Sequence, residues 1–236
     1  MQGCRINEVI AKLTAGLLAS LKKSWFYEVE LEDPQLKAVR DLKEKCERDC
    51  LYRLVIASSL TAYRLKTKGE EYWESISRSY KKGEDPYEFL TKYLSDNREL
   101  ARSSKLKRLI KLKEADKAIS FRFDAYEKNL YALYEDLLKS FGGKYQKTFA
   151  LACKMFHYAL IAQGTHREVP MEVPIPLDSR IMKLTATLGL VEKGSSKRCF
   201  LEAWRKVSEG SGVDQLHIDA FLWIKLYPKL KELKLL

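Results

Sequence analysis

Apolar residues recur along most of this chain at intervals of three and four, the spacing of a helix with one buried face. Leu13, Leu17, Leu18 and Leu21 form a first stripe. Asp33-Pro34 reads as a helix start, a capping side chain followed by proline at the first position. From it Leu36, Val39 and Leu42 repeat, and the pattern resumes at 51–63. Tyr72, Trp73, Ile76 and Tyr80 mark another helix, ending near Gly83, and Asp85-Pro86 opens the next, with Phe89, Leu90 and Tyr93 on one face. Leu106, Leu109, Ile110 and Leu112 follow in a basic stretch. Tyr126, Leu130, Leu133, Tyr134, Leu137 and Leu138 make the clearest amphipathic helix in the chain.

A glycine-bearing turn, Phe141-Gly142-Gly143-Lys144-Tyr145-Gln146, separates this helix from another running through Ala150, Leu151, Met155 and Tyr158. The Pro-rich segment from Val169-Pro170 to Pro174-Ile175-Pro176 should be extended, since each proline biases its predecessor away from helix. Asp178 ends it and caps a helix over 179–188. Two last helices are expected over 198–207 and 214–233, the second broken or kinked at Pro228. No alternating strand pattern and no internal repeat occur. The fold class is all-α, and at this length two helical subdomains with a cleft between them is the natural arrangement, the whole forming one domain over 1–236.

Composition narrows the function. The 236 residues carry 43 Lys and Arg against 32 Asp and Glu, a formal charge of +11. Such a balance favours a polyanion, nucleic acid before membrane. No stretch is long and apolar enough to span a bilayer, and neither a secretory signal nor a lipidation motif opens the chain. Five cysteines (4, 46, 50, 153, 199) in a chain of this length are no disulfide scaffold, and their odd number fits a reducing cytosol. Lys and Glu far outnumber the 3 Asn and 5 Gln, a bias seen in thermophile proteins.

No P-loop, no G-x-G-x-x-G and no G-x-S-x-G is present. The three histidines (157, 166, 217) lack zinc-ligand spacing. Cys46 and Cys50 lie one helical turn apart, yet no second pair completes four ligands, so they read as two ordinary helix cysteines. The basic run Lys105 to Lys113 reads as a solvated face, with a phosphate track as the alternative. The informative region is 137–179: helix, glycine turn, helix with lysine at its start, proline run, then Asp at a helix N-terminus. A plain αα-hairpin has the same outline. A helix-hairpin-helix would set backbone N–H groups against a DNA phosphate.

Three blocks make the region specific. Lys147-Thr148-Phe149-Ala150-Leu151-Ala152-Cys153-Lys154-Met155-Phe156-His157-Tyr158-Ala159, then Val173-Pro174-Ile175-Pro176-Leu177-Asp178-Ser179-Arg180, then Leu216-His217-Ile218-Asp219-Ala220-Phe221-Leu222-Trp223 resemble the archaeal 8-oxoguanine DNA glycosylases (AGOG) of the helix-hairpin-helix superfamily. The resemblance covers nearly the whole chain and is densest from Leu130 onward. The hairpin, about 125–163, departs from the superfamily's usual Leu-Pro-Gly-Val-Gly, reading Ser140-Phe141-Gly142-Gly143. AGOG proteins share that departure.

The resemblance implies a base-excision enzyme that removes 8-oxoguanine from DNA through a lysine Schiff base and cuts the strand by β-elimination. It implies Lys147 as nucleophile and Asp178 as the essential carboxylate. It implies Asp219 and Trp223 holding the lesion, with Gln35, Trp73, Lys154 and Pro176 in the base pocket. Lys144 is the alternative nucleophile; Lys147 is preferred because the helix pattern and the Lys-Thr block start there. Without the family, Lys147 would be a first-turn lysine, Asp178 an ordinary cap and both tryptophans core or surface aromatics. Neither a metal nor an organic cofactor is expected. The expected partner is DNA containing 8-oxoguanine, met by a monomer in a prokaryotic cytoplasm at the nucleoid. A helix-hairpin-helix glycosylase for uracil or an alkylated base, and a non-catalytic helical nucleic-acid-binding protein, are the competing readings.

Overall fold

The computed structural model describes residues 4–143, 146–165 and 168–235. The chain divides into two compact units. Unit 1 takes the chain up to Asp33 and from Pro170 on; unit 2 is Pro34–Val169. Among the described residues the only strand-like feature is the isolated bridge between Ile6 and Val191, so the all-α expectation holds.

Unit 1 opens with α1 (Glu8–Ser20), capped by the Asn7 side chain, and α2 (Lys23–Leu31). Of the leucine stripe predicted for α1, Leu13 and Leu17 face outward, 65% and 61% exposed, whereas Leu18 is buried. The buried face is Ala11, Ala15 and Leu18. Ala11 and Ala15 hold that face because small side chains let another helix approach.

Unit 2 holds α3 (Pro34–Lys43), α4 (Arg48–Thr61), α5 (Gly69–Ser79), α6 (Pro86–Asp96), α7 (Arg102–Ser120), α8 (Phe123–Lys128), α9 (Leu130–Phe141) and α10 (Gln146–Ala162). Leu36, Val39 and Leu42 are fully buried, as their spacing predicts. Asp85 caps α6 by accepting from the N–H groups of Tyr87 and Glu88, both at 3.0 Å. The long helix expected through Tyr126 and Leu138 is two: Asn129 leaves the helical conformation and its side chain caps α9 through the Tyr131 N–H. An asparagine side chain that competes with the backbone in this way favours a helix start over a helix interior. α10 packs along α4, α3 and α9, placing Phe149, Cys153, Phe156 and Tyr158 at 0% exposure.

The basic helix α7 corrects another expectation in part. Lys105 is fully buried, its ammonium 2.9 Å from Glu99 and 5.6 Å from the Tyr63 ring centre. Arg108 stacks on the same ring at 4.0 Å and donates to the Leu60 carbonyl. Lys105 is thus a buried cation, made tolerable by pairing and by the ring face, and Arg108 a half-buried one, while Lys107, Lys111 and Lys113 keep the expected solvated face.

Unit 1 resumes with α11 (Ser179–Thr187), α12 (Lys197–Ser211), α13 (Gln215–Phe221), a π-helical turn (Leu222–Leu226) and α14 (Tyr227–Glu232). α12 packs on α1. A Cβ at Gly210 would lie 3.1 Å from that of Ala15, so glycine and alanine together set this close approach. Cys4 and Cys199 are joined as a disulfide, a pairing that the reading of the five cysteines did not predict. Trp204 and Thr185 lie at the centre of this unit, both at 0% exposure. The indole N–H donates to the threonine hydroxyl at 2.9 Å, which donates to the Ile181 carbonyl at 2.5 Å.

Candidate active site

The sequence places eight residues in the site, and the structure puts four in each unit. In unit 1 the approach to Asp178 is an extended strip whose alternate residues point inward: Val173, Ile175 and Leu177 are 0%, 1% and 6% exposed. Pro176, between the last two, is also buried. Asp178 then caps α11, its Oδ1 accepting from the N–H groups of Arg180 and Ile181, each at 2.9 Å. The half-buried carboxylate is thereby fixed at a helix N-terminus, where the backbone favours negative charge.

Gln215 holds this strip to α13. Its Oε1 accepts from the Ile175 N–H at 3.1 Å and its Nε2 donates to the Met171 carbonyl at 3.1 Å. The glutamine is 2% exposed. It carries no local sequence signal, because its partners lie 40 and 44 residues away.

α13 begins at Asp214, whose Oδ1 accepts from the N–H groups of Leu216 and His217. Its Oδ2 lies 2.6 Å from His217 Nδ1, and Glu30 Oε2 lies 3.9 Å from Nε2. Burial, the strongest single influence on the imidazole, lowers its pKa. The two carboxylates outweigh burial and raise it above the usual histidine value, with Lys23 opposing them.

Asp219 lies on α13 and is 2% exposed. Trp223 lies in the π-helical turn and is half-buried. The break predicted at Pro228 thus starts six residues earlier, with Tyr227 N–H donating to the Leu222 carbonyl, five residues back. Proline has no N–H and its ring clashes with the carbonyl four residues behind; a widened turn ahead of it relieves both. In the helix expected over 214–233 the register therefore changes between Asp219 and Trp223. Arg180 from α11 covers Trp223, its guanidinium 3.9 Å from the ring centre.

In unit 2, Lys147 is the second residue of α10 and is exposed, while Thr148, Phe149 and Ala150 behind it are buried. The turn before it begins at Gly142, with φ +80°, a conformation that suits glycine. Lys144 lies outside the described residues. Lys154, two turns after Lys147, is 2% exposed, and its ammonium lies 5.4 Å from the Tyr158 ring centre. Gln35 is half-buried at the second position of α3, its amide facing Gly69 at the start of α5. α5 carries Trp73, which is 1% exposed and edge-on to Tyr72. α3 packs against both α5 and α10. These four residues therefore sit on three linked helices.

The sequence matches the family described as AGOG, N-glycosylase/DNA lyase, over residues 15–232. It is 33% identical over 204 residues to an N-glycosylase/DNA lyase of Thermococcus kodakarensis, covering 82% of this chain and 75% of the relative. It is 35% identical over 182 residues to one of Nanoarchaeum equitans, covering 75% and 76%. The fold is similar to the crystal structure of an 8-oxoguanosine-complexed 8-oxoguanine DNA glycosylase from Pyrobaculum aerophilum, with a TM-score of 0.79 at 26% identity over 92% of this chain and 87% of that one.

Proposed function

Because the chain belongs to the AGOG family of N-glycosylase/DNA lyases, we propose that it excises 8-oxoguanine from DNA and then cuts the strand, with Lys147 as nucleophile and Asp178 as the essential carboxylate. The observation that carries the chemistry is Asp178: a carboxylate held by two backbone N–H groups at a helix N-terminus, at the end of a buried, proline-stiffened strip.

The target nucleotide must leave the base stack before C1′ can be attacked. As the bond from C1′ to the base breaks, positive charge develops on the sugar, and a fixed carboxylate stabilises it without reorganising. The Lys147 amine bonds to C1′ through its lone pair, while the departing base takes the bond's electrons and a proton. Attack needs the neutral amine; DNA covering the exposed side chain and a nearby carboxylate accepting its proton are the ordinary ways to supply it. Opening of the sugar gives an iminium. Loss of the C2′ proton then expels the 3′ phosphate by β-elimination.

Trp223 supplies the stacking plane and Asp219 a hydrogen-bond partner for the lesion; Gln35, Pro176, Lys154 and Trp73 are the further base-contacting residues that membership of the family implies. Stacking alone accepts any purine, so selectivity requires an acceptor toward the N7–H that 8-oxoguanine has and guanine lacks. Trp73 is buried against Tyr72, so its ring meets a base only if its neighbours shift. The +11 charge supplies the phosphate-driven part of the binding.

The decisive experiment is borohydride trapping on duplexes carrying 8-oxoguanine, uracil or an alkylated base, side by side. The reading expects a covalent adduct with the 8-oxoguanine duplex and none with Lys147→Gln, at an unchanged melting temperature. Normal trapping by Lys147→Gln, combined with failure of Lys144→Gln, would move the nucleophile by one turn. Preference for another lesion would replace the substrate.

A further inference from the structure

Unit 2 contains a cavity of about 650 Å³ that includes none of the eight residues above; Cys50, Arg53, Asp85, Tyr87, Lys113 and Asp116 are among those lining it. Cys50 is the third residue of α4, whose N-cap is Glu47. Cys46 precedes the helix rather than lying in it, and both thiols are half-buried. Their sulfurs are 3.0 Å apart. The Tyr80 hydroxyl is 3.0 Å from Cys50 Sγ and 2.5 Å from the Glu84 carbonyl. It has one proton, which it can direct at the carbonyl or at an ionised Cys50. Lys45 holds the arrangement in place: its ammonium donates to the Ser77 and Tyr80 carbonyls at 2.5 and 3.1 Å, tying the end of α5 to the segment that carries Cys46.

From this geometry we infer that Cys46 and Cys50 are a peroxide-reactive dithiol, Cys50 being the attacking thiol and Cys46 the resolving one. A thiol in the first turn of a helix, beside a second thiol and a phenol, has the setting that favours the thiolate. The Cys50 pKa falls to about 7, chiefly through the hydrogen bond with Cys46, with Tyr80 and Arg53 adding to it against burial and Asp85. Cys46 is pushed up by Cys50 and by burial, so it stays protonated while Cys50 ionises.

The chemistry balances with a hydroperoxide as oxidant. The Cys50 thiolate attacks one peroxide oxygen, the O–O bond breaks, and the departing oxygen leaves as water or alcohol after taking a proton. Cys50 is then a sulfenic acid. The Cys46 thiol attacks that sulfur, the S–O bond breaks, and water leaves with the Cys46 proton. Two thiols have lost two electrons to form one disulfide. A small dithiol reductant reverses the change by exchange.

The test uses the full chain treated with hydrogen peroxide and then digested for disulfide mapping by mass spectrometry. Expected are loss of two hydrogens, a Cys46–Cys50 link that dithiothreitol removes, and iodoacetamide labelling of Cys50 at pH 7 about tenfold faster than of free cysteine. Cys46→Ser should stop at a sulfenic acid on Cys50 that dimedone captures. Cys50→Ser should give neither link nor sulfenic acid. Two thiols still reduced under peroxide that oxidises free cysteine would overturn the inference. So would a Cys46 that oxidises at the wild-type rate in Cys50→Ser.

Discussion

The Arg180 guanidinium lies 3.9 Å from the centre of the Trp223 ring, and Arg180 is also one of the two residues whose backbone N–H holds Asp178. One residue of α11 thus touches both the carboxylate proposed for catalysis and the ring proposed for stacking. Arginine on one face of the indole limits the ring's freedom. Arg180→Ala should weaken binding to a non-cleavable 8-oxoguanine duplex by about fivefold, on the order of 1 kcal/mol. Arg180→Lys keeps the charge but not the planar stack. If it restores full affinity, the arginine serves as a phosphate contact and the positioning role is wrong.

Asp178 has two separable duties. Asn can still cap a helix, so Asp178→Asn should keep nearly all thermal stability and damaged-DNA binding while losing orders of magnitude in single-turnover excision. Asp178→Ala should lose the same activity and, in addition, ~1 kcal/mol of stability from the cap. Excision by Asp178→Asn at the wild-type rate would remove the carboxylate from the chemistry.

His217 gives unit 1 a pH dependence whose sign is fixed. Its pKa in the folded chain is raised above the ordinary 6.5 by Asp214 and Glu30. The stabilisation is therefore complete below 6.5 and is lost as pH rises through the raised value. Urea midpoints should fall between pH 6 and pH 9 more steeply in the wild type than in His217→Gln. Equal slopes would mean that the imidazole does not carry the effect.

Thr185→Val tests the buried pair beneath α11. Valine has the same shape but leaves the Trp204 indole N–H without its acceptor. The expected cost is roughly 1–3 kcal/mol in chemical denaturation, with no change in borohydride trapping rate.

Local signals in the sequence were legible where one residue decides one element. Asp85 and Asp178 sit at their caps as predicted, and Leu36, Val39 and Leu42 are core. The reading was wrong where packing between distant segments decides. Leu13 and Leu17 make a better apolar stripe than Ala11 and Ala15, yet the alanines face α12 because Gly210 admits them. Asn129 splits a helix whose hydrophobic period runs straight through it. Lys105 is buried because Glu99 and Tyr63 receive it, which no charge count reveals. In the site, the motif residues were findable from their blocks, but Gln215, which joins two of those blocks, carries no sequence signal.

The order of segments in unit 1 also bears on how the chain is made. Its first two helices are synthesised early, but α12, onto which Ala11 and Ala15 pack, is translated only after the whole of unit 2. At about 5–20 residues per second that delay is on the order of ten seconds. Unit 2 is one unbroken run and can reach its folded form on the ribosome during that time. Unit 1 cannot: its amino-terminal helices must wait with an unpaired face, and Cys4 must wait for Cys199. Nascent chains arrested once Val169 has left the ribosomal tunnel, but before α12 has, should therefore yield a protease-resistant unit 2 beside a still-cleavable α1 and α2, and unit 1 becomes a post-translational event.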